Sequence, residues 1–304
     1  MKSFRVSLLL SLIVVAIGLG MLSLRTPAAA GAPQIKAASV TFTTIDVPGA
    51  GYTGALGINS AGAIVGDYGQ SVETDAHGFL YSAGTFTYFD YPGEAVTVPS
   101  GINDSGLIVG SATQPPYERT SVIGFLYDGT GFTSFQDDHD QATYGYGINS
   151  AGVVVGAAGS LGTTQGYSLR GSTYKLVAFP QPYVYGFAQG INNKNQIVGY
   201  TANGSSNSAY LVQGGNVKAI LVPGALGTAA QAINDVGIVV GWYSDASGND
   251  FGFATKNGRF FAIAYPGAKA TLAYGINRTG QIVGAYTSDF QAYHGFVTSP
   301  LGAF

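Results

Sequence analysis

Residues 57–66 read GINSAGAIVG, and the phrase returns as GINDSGLIVG at 101–110 and GINSAGVVVG at 147–156. Three looser copies follow, so that the asparagines of Ile-Asn stand at Asn59, Asn103, Asn149, Asn192, Asn234 and Asn277. A repeat of fixed period decides the fold before local propensity does, because each unit must bury its apolar face against a neighbour. In every copy a glycine stands seven positions after the asparagine: Gly66, Gly110, Gly156, Gly199, Gly241 and Gly284. A small residue and an aromatic come next, as in Gly78-Phe79, Gly124-Phe125, Gly166-Tyr167, Ala209-Tyr210, Gly252-Phe253 and Gly295-Phe296. A last apolar run closes on a turn such as Asp90-Tyr91-Pro92-Gly93.

Each copy thus holds four runs of strand length, in the first copy residues 53–58, 63–68, 78–81 and 85–89. No window carries a sustained 3.6-residue period. Four short strands in a unit of about 44 residues predict the blade of a propeller. The chain ends at Phe304, one strand short in its sixth copy, while TFTTIDVPGA at 41–50 is a fourth-strand phrase with no blade before it. The fold expected is therefore an all-β, six-bladed β-propeller of four-stranded blades, with residues 41–46 completing the last blade and closing the ring. Closure removes the unpaired edge that an open array would expose.

With these elements on the page, the chain resembles the HAF-type extracellular repeat family of bacteria, on the GIN…G.IVG phrase, the GF and F..ID.PG elements and their spacing. The resemblance covers residues 40–304 and implies export and a repeat fold. Members of that family often carry a C-terminal sorting segment, and none is visible after Gly295. The resemblance supplies no catalytic residues.

The leader agrees with export. Lys2 and Arg5 precede an apolar run from Val6 to Leu24 and the small residues Ala28, Ala29 and Ala30, the layout of a secretory signal. The run is also near the length of a membrane span, so an uncleaved N-terminal anchor is the alternative, and the only route to a membrane. Residues 1–30 are assigned to the signal, 31–39 to a linker and 40–304 to one propeller domain. The protein is expected to be secreted or periplasmic, and a monomer. Charged residues make up 10% of the sequence and cysteine is absent, so neither disulfides nor thiolate chemistry is available. Residues 1–30 carry three basic groups and no acid, and without them the formal charge falls from −3 to −6. An acidic exported domain argues against nucleic acid as a partner.

The recurrent residues read as scaffold. Residues 59–62 form the tight connection between first and second strands, where asparagine bonds its own turn and glycine supplies positive φ. Gly57, Gly101, Gly147, Gly190, Ala232 and Gly275 let the innermost strands approach the axis. Phe79 and its equivalents fill the space between blades, and His77 and His294 are strand residues rather than catalysts.

Function is expected on the face whose loops vary. The interval from the second-strand glycine to the third-strand small residue is 12, 14, 10, 10, 11 and 11 residues, whereas the first connection never changes length. Loop diversity on a rigid scaffold is where binding concentrates. Candidate ligand-binding residues there are Asp67, Asp75, Glu118, Arg119, Asp245, Asp250 and Asp289. The third copy also replaces its closing turn with Gln136-Asp137-Asp138-His139-Asp140, where Asp137, Asp138 and Asp140 could hold Ca²⁺. No nucleophile elbow, phosphate loop or paired-histidine metal motif occurs, and no catalytic residue or other cofactor is assigned. The favoured function is an exported binding or scaffold protein for an extracellular polysaccharide or protein. The alternative is an extracellular polysaccharide hydrolase or lyase using loop carboxylates at the channel mouth.

Overall fold

In the computed structural model, residues 35–71, 75–114, 122–137, 142–159, 164–180, 185–202 and 206–302 are described. Segments of alternating apolar and small residues pair as antiparallel meanders, and each meander is one blade. Blade 1 is Tyr52–Ile58, Ile64–Gly69, His77–Ser82 and Thr85–Phe89, from the axis outward. Blade 2 is Val96–Ile102, Ile108–Thr113, Ile123–Tyr127 and Phe132–Phe135. Blade 3 is Thr143–Ile148, Val154–Ala158, Gln165–Arg170 and Thr173–Leu176. Blade 4 is Tyr185–Ile191, Ile197–Ala202, Asn207–Gln213 and Asn216–Ile220. Blade 5 is Gly227–Ile233, Val239–Ser244, Asp250–Lys256 and Arg259–Ile263. Blade 6 is Ala270–Ile276, Ile282–Thr287 and His294–Thr298, completed by Phe42–Ile45 from the start of the domain.

That completion has the register expected of it: Phe42 lies opposite Thr298 and Ile45 opposite Gly295. The segment ahead of it also pairs, since Lys36–Ala37 runs parallel to the outermost strand of blade 5 and the amide of Ala38 donates to the carbonyl of Ala262. The stretch expected as a linker therefore covers a sheet edge. The signal segment, residues 1–30, lies outside the described residues.

The glycine seven places after each asparagine is explained by a bulge. In all six blades the register between first and second strands slips by one residue, as between Ala55 and Gly57, directly opposite that glycine. The slip drives an inner-strand carbonyl over the glycine, so that a Cβ on Gly66 would lie 1.8 Å from the Gly54 oxygen. Where the packed aromatic is tyrosine, its hydroxyl donates to the same carbonyl, Tyr167 to Tyr144 at 2.8 Å and Tyr210 to Phe187 at 2.9 Å. The six aromatics are buried between blades, each worth about 2–3 kcal/mol of apolar burial. The small residues before Ile-Asn mark the closest inter-blade approach, because a Cβ on Gly57 would stand 2.9 Å from the Cα of Gly101.

Asparagine does more than the turn requires. The turn itself is as expected: the amide of Gly62 donates to the Asn59 carbonyl, and Gly62 and its equivalents, Asn195 included, have positive φ. The Asn59 side-chain oxygen accepts from the amides of Ala61 and Ala63. Its Nδ2 then crosses to the next blade and donates to the Asn103 carbonyl at 3.3 Å. Asn103 donates to Asn149, Asn149 to Asn192, Asn192 to Asn234, Asn234 to Asn277, and Asn277 back to Asn59 at 3.1 Å. Six side chains thus form a closed circle around the axis. A threonine six residues earlier adds a second recurrent bond, since Thr53, Thr97, Thr143, Thr228 and Thr271 accept from the amide of the crossover chain through their hydroxyls.

The circle makes a prediction that turn chemistry alone does not. Asn149→Ala removes the acceptor of the Ala151 and Val153 amides and the inter-blade donor to the Asn192 carbonyl, and should cost about 3 kcal/mol. Asn149→Asp keeps the acceptor for the turn but sets a carboxylate against the Asn192 carbonyl, and should be comparably destabilising in urea denaturation. An aspartate variant as stable as wild type would show that the inter-blade bond contributes nothing.

Candidate functional site at the axial mouth

One layer below the variable face, each blade directs a pair of residues at the axis, one from its first strand and the residue after the repeat glycine from its second. The pairs are Gly54 with Asp67, Val98 with Ser111, Tyr144 with Ala157, Phe187 with Tyr200, Ala229 with Trp242 and Leu272 with Ala285. In blades 3 to 6 these residues, Ala285 excepted, belong to one buried aromatic cluster around Tyr144, Phe187, Tyr200 and Trp242, the sole tryptophan. In blade 1 the position holds a carboxylic acid.

Asp67 lies within the second strand, as the 63–68 run predicts, but is buried at 7% exposure rather than presented on the variable face. Asp67 pairs with Gly54 of the innermost strand, which places it in the ring. Its Oδ2 accepts the Tyr52 hydroxyl at 3.3 Å, and its Oδ1 has no hydrogen-bond partner among the described residues. Burial pushes its carboxyl up to about 7, against the lowering by Tyr52 and by its own amide.

Phenols surround this acid. Tyr274 is held well above the usual tyrosine range, chiefly by burial and then by Tyr293, Asp67, Asp250 and Tyr200. Tyr293 is raised by burial and by Asp250 and Asp289. Both phenols are neutral at physiological pH and able to donate and to accept. Tyr52, Tyr274 and Tyr293 belong to one cluster with Ala270 and Ala285, within which Tyr52 donates to the acid and Tyr274 feels its charge.

The other candidates divide. Asp250 opens a strand of blade 5, is buried, and accepts from Ser244 Oγ at 2.6 Å. Asp75, Asp245 and Asp289 spend carboxylate oxygens on their own loops: Asp75 on the amides of Gln70 and Ser71, Asp245 on those of Ser247 and Asn249, Asp289 on those of Gln291 and Ala292. Those amides hold the Asp289 carboxyl below the usual carboxylate range. Asp245 acts outward on Tyr243, whereas Asp67, Asp250 and Asp289 bear on the phenols at the mouth. Glu118 and Arg119 lie outside the described residues. So do Asp138, His139 and Asp140, which leaves Asp137 as the described member of the expected calcium set; its amide donates to Thr143. Tyr52, Tyr274 and Tyr293 escaped the sequence reading, which weighted charge. The available signal was that Asp67 is the single acid at its repeat position.

The opposite axial end offers a shallow depression lined by the Ile-Asn pair of every blade and by the residue after it, Asp104, Asp235 and Arg278 among them. There the asparagine amides and oxygens are already engaged in the circle and in their turns.

No family model matches the chain, and no curated protein matches it in sequence. Among solved structures, a gluconolactonase from Xanthomonas campestris superposes with a TM-score of 0.51 at 14% identity, over 90% of this chain and 99% of that one. A mutant of the Aleuria aurantia lectin in complex with Fucα1-6GlcNAc gives 0.51 at 11%, over 83% and 95%. The Trypanosoma rangeli sialidase gives 0.52 at 10%, over 81% and 54%. At such identities the likeness is one of fold: this chain is a β-propeller.

The buried acid has a pH signature. The folded state holds the Asp67 proton more tightly than the unfolded chain, whose carboxyl has the ordinary value of 3.8. Its contribution is thus full below about pH 4 and is lost as pH rises toward about 7. Asp67→Asn should abolish that decline, gaining on the order of 3–4 kcal/mol relative to wild type between those limits. Parallel stability curves for the two proteins across this window would refute a buried, protonated Asp67.

Proposed function

We propose that the protein is an exported binding protein whose variable face takes a hydroxyl-rich extracellular ligand, a polysaccharide, over the axial mouth. The observation that carries this is the contrast between the two ends of the axis. At the asparagine end the six ring asparagines are engaged with one another and with their turns. At the other, Asp67 keeps an oxygen with no hydrogen-bond partner among the described residues, near the phenols of Tyr52 and Tyr274. Phenols and carboxyls that donate and accept at fixed positions, beside a buried aromatic cluster, match in chemistry the alternating hydroxyls and C–H faces of a sugar. The sparse charge of the chain fits an uncharged ligand better than an ionic one. Export rests on the leader, and kinship with HAF-type repeats on the repeat phrase.

One observation favours a second reading. A carboxyl poised to hold its proton near neutrality has the protonation state of a general acid, and Asp250 bears on the same phenol, Tyr274. Hydrolysis or elimination at a glycosidic bond is the chemistry such a pair would serve.

A glycan array followed by Trp242 emission separates these outcomes. A retained polysaccharide should shift the emission of the sole tryptophan, and Tyr274→Phe should weaken binding at least tenfold, about 1.4 kcal/mol. New reducing ends or unsaturated sugars in the same mixture would establish the hydrolase or lyase reading. Retention that leaves Trp242 unmoved and tolerates Tyr274→Phe would remove the axial mouth as the site.

A further inference from the structure

His77 and His294 lie outside the axial mouth, and neither the propeller fold nor the proposed site uses them. In blade 1, His77 Nδ1 is 3.0 Å from Asp90 Oδ2, and in blade 6, His294 Nδ1 is 2.8 Å from Asp46 Oδ2. A carboxylate only accepts, so Nδ1 is the donor, and in the neutral tautomer Nε2 is left as an acceptor. A tyrosine flanks each imidazole, Tyr68 with ring centroids 5.5 Å apart and Tyr286 at 5.2 Å. Tyr88, 50% exposed, extends the first shelf at 5.1 Å from Tyr68. Tyr265 extends the second, stacked on Tyr286 at 3.6 Å, with Thr44 Oγ1 bonded to both hydroxyls. The imidazoles and carboxylates remain 40–51% exposed.

The repeat supplies the comparison that tests a scaffold role. At the histidine position the other blades carry Ile123, Gln165, Ser208 and Phe251, and at the aspartate position Gln136, Ala178, Leu221 and Ala264. Four blades fold without the pair, so the blade does not require it. An ion pair this exposed adds little to stability. Both shelves occupy the blade face that packs on the preceding blade. Blade 1 residues Ile64 and Phe79 on that face cluster with Val283 and Val297 of blade 6, and Phe296 of blade 6 with Ala254 and Ile263 of blade 5. The shelves therefore sit in consecutive inter-blade grooves.

We infer that these two grooves, at Tyr68-His77-Tyr88-Asp90 and Tyr286-His294-Asp46-Tyr265, are paired lateral binding sites for pyranose units of a polysaccharide. The half-exposed ring of Tyr88 in the first groove and the partly exposed edges of the tyrosines in the second receive the C–H side of the ring. Vicinal hydroxyls donate to the second carboxylate oxygen and to imidazole Nε2. Two such sites in neighbouring grooves let one polymer engage both, which raises retention without further contacts. The inference shares with the proposed function the class of ligand, and no residue.

The chain has three histidines, so ring-labelled histidine NMR reports the shelves directly. The probe is a panel of methyl pyranosides, added to the full-length mature protein with Trp242 emission followed in parallel. Signals of His77 and His294 should shift with at least one pyranoside while His139 stays still. Tyr88→Ala and Asp90→Asn should each weaken the His77 response at least tenfold and leave that of His294 intact. Shifts at the two histidines without a change in Trp242 would uphold the lateral sites and count against the axial one. A Trp242 response with all three histidines unmoved would do the reverse. The inference also fails if His139 moves in step with the others, or if Tyr88→Ala leaves the His77 response unchanged.

Discussion

A ring of blades holds together only if its last member meets its first, and here a circle of amides enforces that meeting. Each asparagine oxygen fixes its own turn, and each asparagine nitrogen reaches the carbonyl of the next. Because the side chains are buried, the bonds are made in a medium where an unmade one is costly. The geometry is self-consistent for six copies, since the bond from Asn277 to Asn59 is as good as those within the chain. Gly57 and its equivalents bring adjacent strands close enough for the reach, and the bulge opposite Gly66 turns the inner strand toward the axis.

The N-terminal strand does the same work at the outer edge. Phe42–Ile45 supplies the outermost strand of blade 6, packs Ile45 beside Phe79 of blade 1, and places Asp46 within reach of His294. The ends of the chain are therefore locked to one another, and a sheet that would have been open on one side is covered.

This scaffold engages all six asparagines at one end of the axis and varies its residues at the other. Strict spacing at the asparagine end makes every copy interchangeable. At the variable end the same layer accepts Asp67, Ser111, Ala157, Tyr200, Trp242 and Ala285 in turn, large residues standing opposite small ones in four blades. That tolerance admits an acid to the core, where burial alters its protonation. The lateral grooves show the same freedom, with a histidine and aspartate in two blades and apolar or neutral residues in four.

The period, the four strands per unit, the turn at Asn59 and the completion of blade 6 by residues 42–45 were all legible in the sequence, because each depends on local pattern repeated at fixed spacing. Their agreement with the structure is close: the strand expected at 85–89 is observed as Thr85–Phe89. The partners of the repeated residues were not legible. Turn chemistry fully accounts for asparagine, and so conceals the second bond that its nitrogen makes 44 residues away. Asp67 looked like a surface acid because charge is ordinarily exposed. What buries it is the convergence of six inner strands on one axis, and its phenolic neighbours Tyr52, Tyr274 and Tyr293 come from the two ends of the chain. Sequence spacing specifies which residues recur, and so it determined the blade. Contacts made across the ring join residues of unrelated sequence position, and so the surroundings of Asp67 and the pairing of His294 with Asp46 were decided by tertiary structure.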